Sequence, residues 1–274
     1  MKSSFVCKSL AASLGLMLAF QYSNAQFGNI LKKASDKLEQ KANDAIDKGV
    51  SGTKSATTAD TGTISTGKKR ISMNSVFDFK AGDSVLYASN FDKFKAGAMP
   101  PTWKTNGSGQ LMKSGEVAGT WLEMQNGASY KLNQNYKLPE TFTVEFDLLT
   151  SCDKITDISP VAFGFAENNS VASFNEGSIA VTELEFYNNN KVTSFANPVD
   201  KYISTEYDLS KYANDKVHVS IAIDHAQMKV YLDKTKILDS KMFKDDVRKY
   251  FFVSAPLNAE NDAKVYISNV VIAK

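Results

Sequence analysis

In Thr141-Phe142-Thr143-Val144-Glu145-Phe146-Asp147-Leu148-Leu149, Phe142, Val144, Phe146 and Leu148 fall on one side of an extended chain. Thr143, Glu145, Asp147 and Leu149 fall on the other. A helix would scatter both sets around its circumference, so the run predicts a strand with one face in a core. The stretch 216–223 repeats the pattern, with Val217, Val219, Ile221 and Ile223 alternating with His218, Ser220 and Ala222. Working outward, residues 84–87, 121–124, 178–186, 227–232, 249–254 and 264–272 are each rich in β-branched, aromatic or alternating apolar residues and separated by turn signals. Such strands with almost no helical periodicity predict an all-β fold, a two-sheet antiparallel jelly-roll sandwich over residues 76–274.

Ahead of it the chain changes character. Lys2 and Lys8, the apolar run 10–20 and Ser23-Asn24-Ala25 form the pattern of a secretory signal over residues 1–25. The apolar run is about half of the roughly twenty residues that a membrane-spanning helix needs, so no transmembrane segment is expected after cleavage. Cys7 precedes the apolar run, which is the wrong side for lipid attachment. Residues 26–50 predict an amphipathic helix: Ile30, Leu31, Ala34, Leu38, Ala42, Ala45 and Ile46 recur at three- and four-residue spacing, and the opposite face mixes both signs of charge. Residues 51–75 predict a linker, since twelve of the twenty residues 51–70 are Ser, Thr or Gly.

Composition excludes several functions. The 274 residues carry 32 basic and 30 acidic side chains, and removal of Lys2 and Lys8 with the signal leaves a neutral chain, without the basic footprint of a nucleic-acid binder. Two histidines and two cysteines are too few for most zinc sites or a disulfide scaffold. Cys152, the one cysteine after the signal, has Asp153 beside it, the wrong sign to activate a thiol. Gly-x-Ser-x-Gly and phosphate-loop motifs are absent.

The runs Ser84-Val-Leu-Tyr-Ala-Ser-Asn-Phe-Asp92, Met99-Pro-Pro-Thr-Trp103, Gly119-Thr-Trp-Leu-Glu-Met124 and Leu138-Pro-Glu-Thr-Phe-Thr-Val-Glu-Phe-Asp147 resemble the opening of concanavalin A-like jelly rolls of the laminin-G and glucanase type. Val217-His-Val-Ser-Ile-Ala-Ile-Asp224, Met228-Lys-Val-Tyr-Leu-Asp233 and Val265-Tyr-Ile-Ser-Asn-Val-Val-Ile-Ala273 are similar to that fold's later strands. With its helix and linker, the chain further resembles the front half of exported OmpA-family proteins of Bacteroidetes-type bacteria. Those continue into a peptidoglycan-binding OmpA domain, whereas this sequence ends at Lys274 after the last predicted strand, so that activity is not expected here. The resemblance implies an exported protein, in the periplasm, associated with the outer membrane or extracellular.

Glucanases of this fold carry Glu-x-Asp-x-Glu, or one residue more before the last Glu, so that nucleophile and acid share a strand face. Glu145-Phe146-Asp147 fits the first half, but Leu149 and Thr150 stand where the second Glu belongs, so no enzyme is expected. Glu183 and Glu185 form a second two-spaced carboxylate pair. The expected function is therefore a non-catalytic binding module for a carbohydrate or cell-envelope component. The alternative is a structural or protein-interaction role through the N-terminal helix. Sugars are held by aromatic faces with amides and carboxylates, which makes Trp103, Trp121, Glu145, Asp147, Glu183, Glu185, Tyr187 and Asn188 the candidate ligand contacts. No cofactor is required. Calcium, common in related folds, would need convergent oxygens from Asp153, Asp157, Asn168, Asn169 and Glu176, which have no EF-hand spacing.

Overall fold

The computed structural model of the chain describes residues 77–134 and 138–274. The signal segment, the helix 26–50 and the linker 51–75 lie outside the described residues. Among those described, no helix is long and apolar enough to cross a membrane.

The strands are β1 (Val85–Ser89), β2 (Trp103–Thr105), β3 (Gly109–Lys113), β4 (Thr120–Met124), β5 (Ser129–Leu132), β6 (Thr141–Ser151), β7 (Val161–Ala166), β8 (Ser178–Leu184), β9 (Lys191–Ala196), β10 (Lys201–Glu206), β11 (Lys216–Asp224), β12 (Gln227–Leu232), β13 (Thr235–Lys241), β14 (Tyr250–Ser254) and β15 (Lys264–Ala273). They form two antiparallel sheets. The first has the order β13-β12-β11-β6-β15-β4-β3, with β1 also paired to β15, and the second β10-β9-β8-β7-β14-β5-β2. This is the expected all-β, two-sheet sandwich.

β6 is central to the first sheet, with β11 along one edge and β15 along the other. Its inner residues Phe142, Val144, Phe146 and Leu148 are buried, as alternation requires. Phe146 meets Phe163 of β7 edge-on at 5.3 Å between ring centroids and Phe251 of β14 at 5.4 Å, and Phe142 meets Phe165 at 5.6 Å. These rings join the two sheets across the core. At one side of the sandwich the edge strands of the two sheets also approach, and the Thr205 hydroxyl of β10 donates to the Ile237 carbonyl of β13 at 3.1 Å.

The residues that lead into β1 cross the outer face of the first sheet. Phe77 and Phe79 pack edge-on against Tyr231, and Asp78 accepts from the Tyr231 hydroxyl at 2.7 Å and from Lys229 at 3.0 Å. These hydrogen bonds, with one from Lys236, hold the Asp78 carboxyl well below the usual carboxylate range. A side chain at Gly82 would place its Cβ 2.7 Å from the backbone of Ala273 and Lys274, so only glycine lets the segment pass this close to the end of β15.

Truncation of Phe146 to alanine removes the ring that touches both β7 and β14, and the expected loss of stability is about 3–5 kcal/mol. Urea denaturation of wild type and F146A measures it.

Candidate functional site

The candidate carboxylates divide between opposite surfaces of the sandwich. Glu145 and Asp147 project from the outer face of the first sheet, where register places Ser220 and His218 of β11 beside them. His218 bridges the pair: Nδ1 lies 2.8 Å from Asp147 Oδ1, and Nε2 3.2 Å from Glu145 Oε2. Both ring nitrogens donate when both bonds form, which requires the imidazolium. The Asp147 bond, opposed by partial burial and assisted by the charge of Asp147 and the Glu145 contact, raises the His218 pKa. Burial alone would raise Asp147. Hydrogen bonds from His218 and Asn269 and the charge of Lys216, 3.3 Å away, outweigh it and hold the carboxyl below its ordinary value. The Asn269 amide reaches Asp147 at 2.7 Å from a bulge in β15, where Asn269 has φ of 52°. Histidine, lysine and amide thus tie down the two carboxylates. His218 is the centre of this cluster.

Neither tryptophan presents a ring face to solvent. Trp103, 3% exposed, lies in the core beside Phe91 and donates its indole N–H to the Tyr87 hydroxyl at 2.8 Å. Trp121 is equally buried, donates to the Ala118 carbonyl at 3.1 Å, and borders a cleft of about 260 Å³ with Met112 and Tyr266. Both were expected at a ligand. Their indoles need a buried partner and apolar cover, and the fold supplies both.

The calcium donors do not converge. Asp153 and Asp157 lie between β6 and β7, with Asp157 engaged by the Asn261 amide at 3.1 Å. Asn168, Asn169 and Glu176 lie in the β7–β8 connection. The carbonyls of Asn168 and Glu176 there accept from the ammonium of the fully buried Lys131, at 3.1 and 2.8 Å. Among the described residues no group of three His, Cys, Asp or Glu side chains is placed to hold a metal ion. Cys152 is buried, which raises its thiol pKa.

The remaining candidates come together on the outer face of the second sheet, across β8, β9 and β10. Glu183 stands in register with Thr193, and Thr193 with Ser204. The next row is Val181, Phe195 and Tyr202. Val181, Phe195, Ala162, Ala166 and Phe252 form a small apolar cluster separate from the main core. Just beyond β8 the chain makes a single helical turn, Phe186–Asn188, which turns Phe186 inward and leaves Tyr187 and Asn188 outside. Glu185 is buried by three partners: the Tyr187 hydroxyl donates to it at 3.1 Å, the Thr193 hydroxyl donates to its other oxygen, and Lys191 pairs with it at 3.5 Å. Glu183 is half-buried and, among the described residues, accepts no hydrogen bond and forms no ion pair. Burial and then the neighbouring Glu185 charge raise its pKa. Burial, with Glu185 and the nearby Tyr202 contributing, raises the Tyr187 phenol. Tyr187 is 53% and Tyr202 63% exposed, among the most exposed large aromatic side chains described.

This face therefore offers one unengaged carboxylate, the exposed Ser204 hydroxyl and two open phenol rings. Tyr202 was not among the sequence candidates. Its signal is the cross-strand pairing with Phe195 over the turn at Asn197–Val199, which is legible only once that hairpin is recognised.

Several solved structures resemble the chain. The metal-free exoplasmic/lumenal domain of VIP36 matches with a TM-score of 0.50 and 11% identity, over 68% of this chain and 90% of that one. Arcelin-5, a lectin-like defence protein of Phaseolus vulgaris, matches with a TM-score of 0.48 and 13% identity, over 68% and 96%. Carbohydrate-binding module CBM66 of Bacillus subtilis matches with 0.43 and 15%, over 63% and 96%. The chain has a concanavalin A-like, lectin-type sandwich fold. At such identities the likeness is one of fold alone. No protein-family model and no curated protein matches the sequence, so the resemblance to OmpA-family proteins rests on the quoted residues.

Two pH responses follow. The raised pKa of His218 stabilises the fold fully below the ordinary 6.5, and this stabilisation is lost as pH rises through the folded value. That of Asp147 is present above the ordinary 3.8 and is lost as pH falls through its lowered one. The stability gap between wild type and H218Q should therefore be widest between these limits and shrink on either side, as read by urea denaturation across pH. Burial brings Lys131 down to about 8 from the ordinary 10.5, so the folded protein loses this proton first. The cost of the buried charge is full below pH 8 and fades toward 10.5; over that window wild type should gain stability relative to K131M.

Proposed function

We propose that this protein is a non-catalytic binding module that holds a glycan against the outer face of β8–β10. The observation that carries the reading is Glu183: a half-buried carboxylate with no partner among the described residues, set beside the exposed rings of Tyr187 and Tyr202. A carboxylate accepts hydrogen bonds from sugar hydroxyls, and phenol rings cover the apolar C–H faces of the same sugar. Ser204, exposed in the same cross-strand row as Glu183, adds a hydroxyl that donates or accepts. Glu185 orients the Tyr187 ring through its hydrogen bond, and Asn188 stands exposed at the margin.

The non-catalytic part of the reading rests on the chemistry of the carboxylates. Glu145 and Asp147 are engaged by His218, and Leu149 stands where a glucanase acid would be. Glu183 and Glu185 are not equivalent acids facing one cleft, because Glu185 is buried beneath its own three partners. An exported location, with the preceding helix and linker as a tether, accords with the sequence of residues 1–75.

The test is a binding screen of the full chain against envelope and plant polysaccharides, followed by titration of E183Q, Y187A and Y202A with any glycan bound. Saturable micromolar to millimolar binding is expected, weakened about three- to tenfold by each tyrosine variant, in line with roughly 0.5–1.5 kcal/mol per aromatic contact. Affinity unchanged in all three variants, with circular dichroism unaltered, would overturn the assignment of this face.

A further inference from the structure

A second cleft lies away from the β8–β10 face, and it carries an inference that does not rest on the reading above. Its volume is about 500 Å³, within the usual range of small-ligand sites, roughly 300–1,000 Å³. Three chain segments enclose it: 138–140 leading into β6, His225 in the β11–β12 turn, and 245–250 leading into β14. We infer that this cleft binds a small organic carboxylate, a sugar acid, through Arg248 and Lys249.

The argument is a census of its charges. Arg248 is the sole arginine among the described residues, is exposed, and makes no hydrogen bond or ion pair within them. Lys249 is 8% exposed; its ammonium has one long hydrogen bond, 3.4 Å to the Val247 carbonyl, and lies 4.9 Å from the Phe243 ring centroid. An ammonium has three donors, so most of its hydrogen-bonding capacity is unmet, and burial lowers its pKa accordingly. Most of the other charges are matched, although the Glu140 and Asp246 charges also bear on Lys249. His225 lies 2.8 Å from Asp224 and 2.9 Å from Glu140, and Asp245 pairs with Lys241 at 3.6 Å. Asp246 alone among the lining carboxylates makes no ion pair with a described residue.

What is left is a guanidinium fork and a desolvated ammonium lining one cleft, and the fork recognises a planar anion through two parallel N–H···O bonds. The remaining Asp246 charge and the nearby paired carboxylates make the cleft a poor host for a dianion, which favours a singly charged carboxylate over phosphate. Leu138, Pro139 and the Tyr250 ring supply an apolar wall against which the body of a sugar ring can pack.

The experiment titrates the full chain with glucuronate, its uncharged methyl ester and inorganic phosphate, by calorimetry and by NMR. Glucuronate should bind saturably in the millimolar range or tighter, with the ester and phosphate each at least tenfold weaker. R248A should lose at least tenfold in affinity, and R248K should recover only part of it, since lysine restores the charge but not the fork. Equal binding of acid and ester, phosphate binding tighter than glucuronate, no saturable binding at all, or an R248A variant of unchanged melting temperature and unchanged affinity would each overturn the inference.

Discussion

Thr141–Ser151 sits in the interior of a sheet, and a strand there must have its backbone groups paired along both edges because water cannot reach them. Its partners, Lys216–Asp224 and Lys264–Ala273, both come from much later in the chain. The chain therefore has to leave the first sheet, build most of the second, and return twice. That requirement produces the crossed strand order, and it places Phe142 and Phe146 opposite the aromatic side chains of β7 and β14. Long-range pairing of this kind is costly to close in entropy and is stabilised only when the inner face is covered at the same time.

The architecture was legible where one strand face meets water and the other meets the core. β6 and β11 alternate because their outer faces are partly polar. β7, Val-Ala-Phe-Gly-Phe-Ala, is buried at all six positions because a second apolar cluster covers its outer face, so its period-two signal is erased. The hairpin of β9 and β10 is obscured for the opposite reason: its outer residues Thr193 and Ser204 read as loop, and the turn Asn197–Val199 interrupts the strands. The candidate site was half legible. Two-residue spacing identified Glu183 and Glu185 but could not say that Glu145 and Asp147 lie on the opposite surface, because which sheet a strand joins is decided by its partners and not by its own pattern. Tryptophan content alone does not locate a site, because an indole is as useful to a core as to a sugar.

The two outer faces also differ in how they treat charge. On the first sheet the carboxylates are matched by His218, Lys216 and Asn269, and at the edge Asp78 is matched by Lys229 and Lys236, so this surface is electrostatically closed. On the second sheet Lys131 is internalised as a counterpart to loop carbonyls, while Glu183 is left without one. An internal ammonium performs locally what a bound cation does in other proteins: it gathers backbone oxygens of a loop around one positive centre.

The contact between Thr205 of β10 and Ile237 of β13 has a bearing on self-association. Unpaired strand edges are the templates on which proteins polymerise, and a sandwich has four of them. Here β10 and β13 approach each other and are joined by this one side-chain hydrogen bond, so that flank is partly shielded. Growth by strand addition is left to β2, β3 and β1, strands of three to five residues that are too short to template a long ladder.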